Sequence, residues 1–321
     1  MSTPSAALAT LRPELGGSLE EFDLEADRAG FIGQRVLPVT EVGVPSGIFG
    51  TIPLEQLLQN KETNRAPGTA YPRGTWEFTS QSFLTEEHGW EEPVDAREAQ
   101  IYQDFFTAET VSAARARDFV LRNFEKRVAA LIQNASTWTA TSVTTEWSTI
   151  TATPIADVQN RAIDMFDTIG LWPNALIISR KVFLNLRKVT EIINRIQSAG
   201  AGDATKAADI TAGMLAQVFD LDEVIVAGSA KNTANEGQDA SISPIWSGEY
   251  ASVVRLAKTN DIKEAALGRT FHYGADGSTM GALMESYGDP TVRAEIIRAR
   301  METDEKIVYT GCQELLDNIT A

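Results

Sequence analysis

The residues of this chain that could do chemistry stand too far apart in sequence to suggest a working site. There are two histidines. His88 sits in EEHGWEE, where Glu86, Glu87, Glu91 and Glu92 could offer oxygen ligands to a metal ion. Metal sites need convergent ligands, usually with more than one His or Cys, so a solvated acidic loop is the better reading. His272 lies between Phe271 and Tyr273, the setting of a packed or partner-facing ring. Two histidines so distant give no support to a Ser–His–Asp or Cys–His arrangement. Cys312 is the one cysteine and follows Gly311 near the end of an expected strand, as a buried structural thiol would. Residues 274–288 (GADGSTMGALMESYG) are glycine-rich but fit neither G-x-x-x-x-G-K-[ST] nor G-x-G-x-x-G, so a phosphate cradle is not expected. Asp220 and Asp222 read as a turn before a strand, not as a general acid and base. The sequence therefore predicts no catalytic, cofactor-binding or metal-ligating residues.

What must be positioned is surface. The chain has 321 residues, enough for one large or two medium domains. Its 28 basic and 44 acidic residues give a formal charge of −16, which argues against tight binding of nucleic acid or an anionic membrane. That charge suits a soluble subunit, or a container lining that should not grip the nucleic acid inside it. A single cysteine allows no intramolecular disulfide and fits a reducing compartment. The N-terminus (MSTPSAALATLRPELGG) is not a signal peptide. No apolar run approaches membrane-spanning length, so a cytoplasmic protein is expected.

The longest regular element falls between Asp95 and Asn134, a stretch without Gly or Pro. Asp95 followed by Glu98 reads as a capping box. Ala113, Val120, Phe124, Val128 and Leu131 share one helix face. A helix over the whole stretch would be roughly 60 Å long; a second start near Asp104 or Thr107 would leave roughly 40 Å. Either is a strut for subunit contacts more than the wall of an active site.

Before it, residues 1–28 are polar and read as an arm ordered through partners. Residues 29–48 are extended, with Pro38 and Pro45, and show no obvious internal partner. Phe31, Val36 and Leu37 are the apolar contact candidates there. Residues 49–94 read as a projecting hairpin, with strands at Phe49–Ile52 and Thr75–Phe83 and a polar stretch between them. On it, Lys61 and Arg65 could pair with an acidic neighbour. Trp76 and Phe78 are the better anchors, since buried aromatics dominate contact energy. Packing within the hairpin is the equal alternative for these two rings.

After the long helix, the Thr/Ser-rich residues 136–154 predict a β-hairpin or ordered loop. A helix follows from Pro154 to about Thr168, and a buried strand over Ala175–Ser179. An amphipathic helix is expected over 180–197, a short one over Ile210–Phe219, and a strand over Glu223–Val226. Together these make a compact α/β unit over 155–265. Residues 232–243 are a polar loop and 268–290 a second extended connection. The end, TVRAEIIRARMETDEKIVYTG, reads as two antiparallel strands turning near Glu302 to Asp304.

Several stretches together resemble the major capsid proteins of tailed bacteriophages with the Hong Kong 97-like fold. GFIGQRVLPVTEVGVPSGIF resembles the arm leading into that family's extended loop. NRAPGTAYPRGTWEFTSQSFLTEEHGWEEPVD resembles the loop tip and its returning strand. ARDFVLRNFEKRVAALIQN resembles the spine helix, and LWPNALIISRKVFLNLRK is similar to the strand-then-helix step of the axial domain. The resemblance implies an α+β fold: an N-terminal arm at 1–48, an extended loop at 49–94, a peripheral domain from 95–154 and 266–321, and an axial domain at 155–265. It implies homo-oligomers, hexamers and pentamers tiling an icosahedral shell that encloses DNA without sequence-specific binding. It further implies portal and possibly scaffolding or decoration proteins as partners, no membrane, no cofactors and no catalysis. The protein would be assembled in the host cytoplasm and reside in the virion capsid.

Some members of that family cross-link neighbours through a loop Lys. Here Lys61 is the only lysine on the loop and none occurs between Glu62 and Glu125, which argues against such a bond. With no long domain before the arm, scaffolding would be a separate protein or absent. The alternatives are an encapsulin-type compartment shell and a soluble α/β enzyme built on 155–265. Adjacent genes would separate the first from a phage protein, and a polar active site is needed for the second.

Overall fold

In a computed structural model the described residues are 10–11, 30–53, 58, 60–75, 77–95, 97, 108–198, 210–235, 237–239, 241–259, 261 and 264–320. They form a mixed helix-and-sheet protein with two large sheets, two separate two-stranded hairpin sheets and two hydrophobic clusters.

The first sheet is built on one long strand. Strand β1 (Thr10–Leu11) and helix α1 (Gly33–Val36) are followed by β2 (Val39–Val42), β3 (Ser46–Thr51), β4 (Thr79–Leu84) and β5 (Glu86–Asp95). Much later come β12 (Gly268–Tyr273), β13 (Leu283–Asp289) and β14 (Ala294–Ile307). One edge of β14 pairs with β5 from Ala294↔Asp95 to Thr303↔Glu86. Its other edge pairs first with β13 and then with β12. β12 also pairs in parallel with β2, and β1 pairs with β13.

Two expectations change here. The C-terminal segment is one strand of 14 residues, not two strands turning at Glu302–Asp304. From Ile297 onward its buried residues alternate with charged ones, so Glu302 and Asp304 are the polar face of a continuing strand. The partner it folds against is β13, within the stretch expected to be a mere connection. The second change concerns 29–48, which does have a partner in its own chain. β2 lies beside β12, and Val36 and Leu37 are 0% exposed.

Helix α2 (Ala108–Ile132) packs on β5 and β14. Its 25 described residues run about 38 Å, and residues 98–107, which would decide between the two expected lengths, lie outside the described residues. Asp95 ends β5 and accepts the amide of Arg97 at 2.7 Å. Glu98, the other half of the expected capping box, lies outside the described residues. Ala113, Ala116, Val120, Phe124, Val128, Ala129 and Ile132 bury one face of α2 in the first cluster, the three- and four-residue spacing an amphipathic helix needs.

The second sheet has the order β6–β15–β11–β7–β8, with β6 Thr141–Ser142, β7 Ala175–Ser179, β8 Glu223–Ala227, β11 Ala251–Val254 and β15 Gln313–Asp317. Around it lie α3 (Pro154–Ile169), α4 (Arg180–Leu186), α5 (Thr190–Ser198) and α6 (Ala212–Phe219). Pro154 opens α3 and Gly170, at φ 69°, closes it. The hydroxyl of Ser179 accepts the amide of Val182 to start α4, and Thr211 does the same for Met214 in α6. The expected helix over 180–197 is two helices, parted around Arg187–Val189. The Thr/Ser-rich stretch is an ordered loop pinned by its tryptophans, Trp138 donating to the Leu131 carbonyl and Trp147 to Asp157. Strands β9 (Ala230–Asn232) and β10 (Ile242–Pro244) pair at the base of the polar 232–243 loop.

Candidate intersubunit surfaces

The most prominent surface is the hairpin β3–β4 and the segment it carries. Strand alternation sends Phe49 and Phe83 to one face, where both rings pack on Phe271 of β12, at centroid distances of 5.4 Å and 4.7 Å. Four hydrogen bonds fix this root. Gln81 donates to the Val308 carbonyl, the Leu84 amide to Asp304, the Thr85 amide to the Pro45 carbonyl, and the Thr85 hydroxyl to Glu302. The opposite face shows Ile48 and Leu84 to solvent, with Phe78 just beyond the end of β4. Ile48 is 77% and Phe78 71% exposed.

Beyond the root, the described residues 60–75 are all exposed and carry no helix or strand. The tip is knit locally. Thr69 donates from both its amide and its hydroxyl to the Ala66 carbonyl, with Gly68 at φ 84° making the turn. Arg65 donates to the Thr69 carbonyl at 2.7 Å and lies 4.6 Å above the Tyr71 ring. Lys61 is exposed, its ammonium close to Gly74. Trp76 lies outside the described residues.

The arm candidates behave differently. Val36 and Leu37 are core residues of this chain, so as contacts between copies they are corrected: their methyl groups meet α2 and the first sheet. Phe31 is half-buried against the same cluster, with the Arg122 guanidinium 5.4 Å from its ring. What draws this segment inward is Glu125, 1% exposed on α2. Its carboxylate accepts the amides of Ile32 and Gly33 and the indole N–H of Trp246. Burial pushes its pKa up, and these three donors act against that rise. The sequence carried a signal: Glu125 is three residues before Val128 and seven before Ile132, on the buried stripe.

The polar candidates resolve into structural pairs. In β5, Glu86, His88 and Glu92 point to one face and Glu87 and Glu91 to the other. The acids then go to arginines: Glu92 to Arg115, Glu91 to Arg298, Glu87 to Arg300. Among the described residues no three His, Cys, Asp or Glu converge as metal ligands would. Burial, then the charge of Arg127, push the pKa of His88 down. His272 is buried with Nε2 3.3 Å from the Ser278 hydroxyl, and burial pushes its pKa down as well. Cys312 is buried in the 3-10 turn Thr310–Cys312, its thiol pushed up to about 11 by burial. Asp220, at φ 59°, closes α6.

A further exposed aromatic pair joins β5 to α2. The rings of Trp90 and Phe119 lie 4.9 Å apart and each keeps a little under half of its surface exposed.

No protein-family model matches the chain. The major capsid protein of Burkholderia phage BcepMu is 23% identical over 203 residues, 62% of this chain and 64% of that protein. The match thus spans less than two thirds of that relative's length. Among solved structures, a phage-related protein from Bordetella bronchiseptica superposes with a TM-score of 0.68 at 18% identity, covering 97% of both chains. The mature capsid of bacteriophage PhiM1 gives 0.57 at 12% identity over 87% of this chain and 85% of that one. An encapsulin complex from Synechococcus elongatus gives 0.51 at 11%, over 89% and 86%. At these identities the structural likeness is one of fold. The chain has the mixed helix-and-sheet fold of phage capsid subunits and is similar in sequence to a phage major capsid protein.

Proposed function

We propose that this chain is the major capsid protein of a tailed phage or prophage, a Hong Kong 97-like subunit that tiles an icosahedral head as hexamers and pentamers around double-stranded DNA. The observation that carries the reading is the β3–β4 finger. Its root is fixed in the chain's own core while its outer apolar face and the whole of 60–75 are exposed. A monomer gains nothing from holding Ile48, Phe78 and Leu84 in water; a neighbouring copy covering them gives the hydrophobic gain. Of the stretch 49–94, residues 49–84 would lie across that neighbour, while β5 from Glu86 onward stays paired with β14 of its own chain. The first sheet with α2 would form the peripheral domain and 155–265 the axial domain. Strands β6 (Thr141–Ser142) and β15 (Gln313–Asp317) would complete the axial sheet, so the boundaries at 154 and 266 shift at those two strands. The 232–243 loop would lie nearest the capsomer axis. Lys61, Arg65, Trp76 and Phe78 are the contacts proposed on the loop, and Phe31 the one on the segment that leads into α1. The acidic charge suits a lining that holds DNA without gripping it. The subunit does no catalysis and works with a portal and separate scaffolding or decoration proteins.

Purified protein run on a sizing column and viewed in negative stain is expected to give capsomers or shells. A monomer under every condition of salt and concentration overturns the reading. The shared fold of the encapsulin complex supports a second reading, a shell around an enzyme. Particles made in the native host that contain a packaged enzyme and no DNA would favour it.

A further inference from the structure

Among the described residues outside the finger, the exposed aromatic side chains are Trp90, Phe119, Phe166 and Trp172, and they form two pairs. Trp90 and Phe119 wall a concave site of about 600 Å³, closed on its other sides by Arg122 and Lys126 of α2 and by Lys231 and Ile242 of the β9–β10 hairpin. In a chain of net charge −16 this lining holds three permanent cations and no carboxylate. Arg122 is held by Asp118 of its own helix and by the Ala230 carbonyl. Among the described residues neither Lys126 nor Lys231 has an ion-pair partner. The site thus fits an occupant that is aromatic and acidic at once.

The second pair has that chemistry. At the C-terminal end of α3 the rings of Phe166 and Trp172 stack 4.6 Å apart, with an interplanar angle of 16°. Ile163, Phe166 and Asp167 share a helix face by their three- and four-residue spacing, with Asp164 at its edge. Leu58, beside Gly170, widens the apolar surface. The cations that touch this surface are already engaged. Arg161 pairs with Asp164 at 2.6 Å, and Arg255 donates to the carbonyls of Trp172 and Ala265. Asp167 has no ion-pair partner among the described residues. The finger is a poorer occupant, since residues 60–75 carry Lys61, Arg65 and Arg73 against Glu62 alone.

We propose that the Phe166–Trp172 end of α3 in one copy docks into the Trp90–Phe119 site of a second copy, ring pair against ring pair, with Asp167 facing Lys126 and Lys231. The two surfaces are different patches of one chain, so their contact joins copies head to tail, the kind that closes rings. The inference rests on the reading of this chain as a self-assembling subunit and adds to it a contact separate from the finger.

The test uses the full chain under assembling conditions, with Asn123→Cys and Thr168→Cys and a short bismaleimide; buried Cys312 stays unreacted. Ile242→Cys with Ile163→Cys is the second pair. All four positions are exposed, so neither pair disturbs the core. Either pair in one chain is expected to give a ladder of linked chains. Two single-cysteine proteins, one from each side of a pair, should link only when mixed. Lys126→Glu should cut the yield about tenfold, because an attraction becomes a repulsion, and Asp167→Lys added to it should restore most of that loss. Capsomers or shells that give no product from either pair overturn this contact and leave the assembly reading standing; a monomer under every condition overturns both. Product that forms only between copies of the same single-cysteine protein overturns the contact too. So does a yield that is indifferent to Lys126→Glu, or one that Asp167→Lys fails to restore.

Discussion

The carboxylate of Glu125 accepts the indole N–H of Trp246 at 2.6 Å across 121 residues of sequence, and the same carboxylate holds the amides of Ile32 and Gly33. One buried side chain thus joins the long helix, the entry of the N-terminal segment and the β10–β11 connection. Removing it orphans three donors in a dry site.

Glu125→Ala should therefore lower the free energy of unfolding by about 3 kcal/mol, in the range for leaving buried donors unpaired. Urea titration of isolated subunits measures it. Glu125→Gln should cost less, because the amide oxygen still accepts. The pH dependence has a definite sign. A carboxyl whose folded pKa is raised contributes most below its unfolded value and loses that contribution as pH rises through the folded one. Any stability advantage of the native protein over Glu125→Gln should therefore shrink as pH rises above the ordinary carboxyl value of about 4.5.

Leu37→Ala and Phe78→Asp separate the core from the finger. Leu37 is fully buried, so its truncation should cost about 3 kcal/mol in urea titration. Phe78 is exposed in the subunit, so Phe78→Asp should change subunit stability by no more than about 0.5 kcal/mol. Particle formation, followed by light scattering, should nonetheless be lost in Phe78→Asp. Particles that persist in that variant remove Phe78 from the contact.

Glu285 carries an acid-sensitive ladder on β13 and β14. It accepts from Arg298 at 2.7 Å and from Arg300 at 3.1 Å. Burial alone would raise its pKa; the hydrogen bonds of Arg300 and Arg298 outweigh that and hold it below the usual range. A lowered folded pKa means stability that is present above the unfolded value and lost as pH falls through the folded one. Thermal stability should fall below about pH 4.5, and Glu285→Gln should flatten that slope.

His272 acts in the same direction at higher pH. Its folded pKa is lowered by burial, more than Glu41, Asp276 and Glu302 raise it. The unfolded chain takes up the proton first, so stability is lost as pH drops below the ordinary value of 6.5. His272→Gln should remove this part of the slope below about pH 6.5 in calorimetry, leaving the Glu285 part intact.

Local punctuation made much of the fold legible. Pro154 and Gly170 bracket α3, and the apolar run Ala175–Ile178 with the cap residue Ser179 after it reads as a strand buried on both faces. The apolar stripe of α2 fixed the helix that dominates the first cluster. What stayed hidden depends on partners distant in sequence. Nothing near Ile32 announces a carboxylate 93 residues away, so the segment looked unpartnered. Glu302 and Asp304 resemble a turn until Thr85 and Leu84 are seen to bond to them across the sheet. The acids around His88 could be weighed as ligands only while their arginines, on other elements, were unknown. The exposed finger was readable because its composition offered no core to build.

The two rings that seat the finger on Phe271 have a mechanical consequence. Phe271 belongs to the strand flanked by β2 and β14, so the fulcrum of the finger is part of the central sheet rather than a flexible collar. A load on the tip acts as a lever on that sheet, and whatever grips one end of the molecule can be felt at the other.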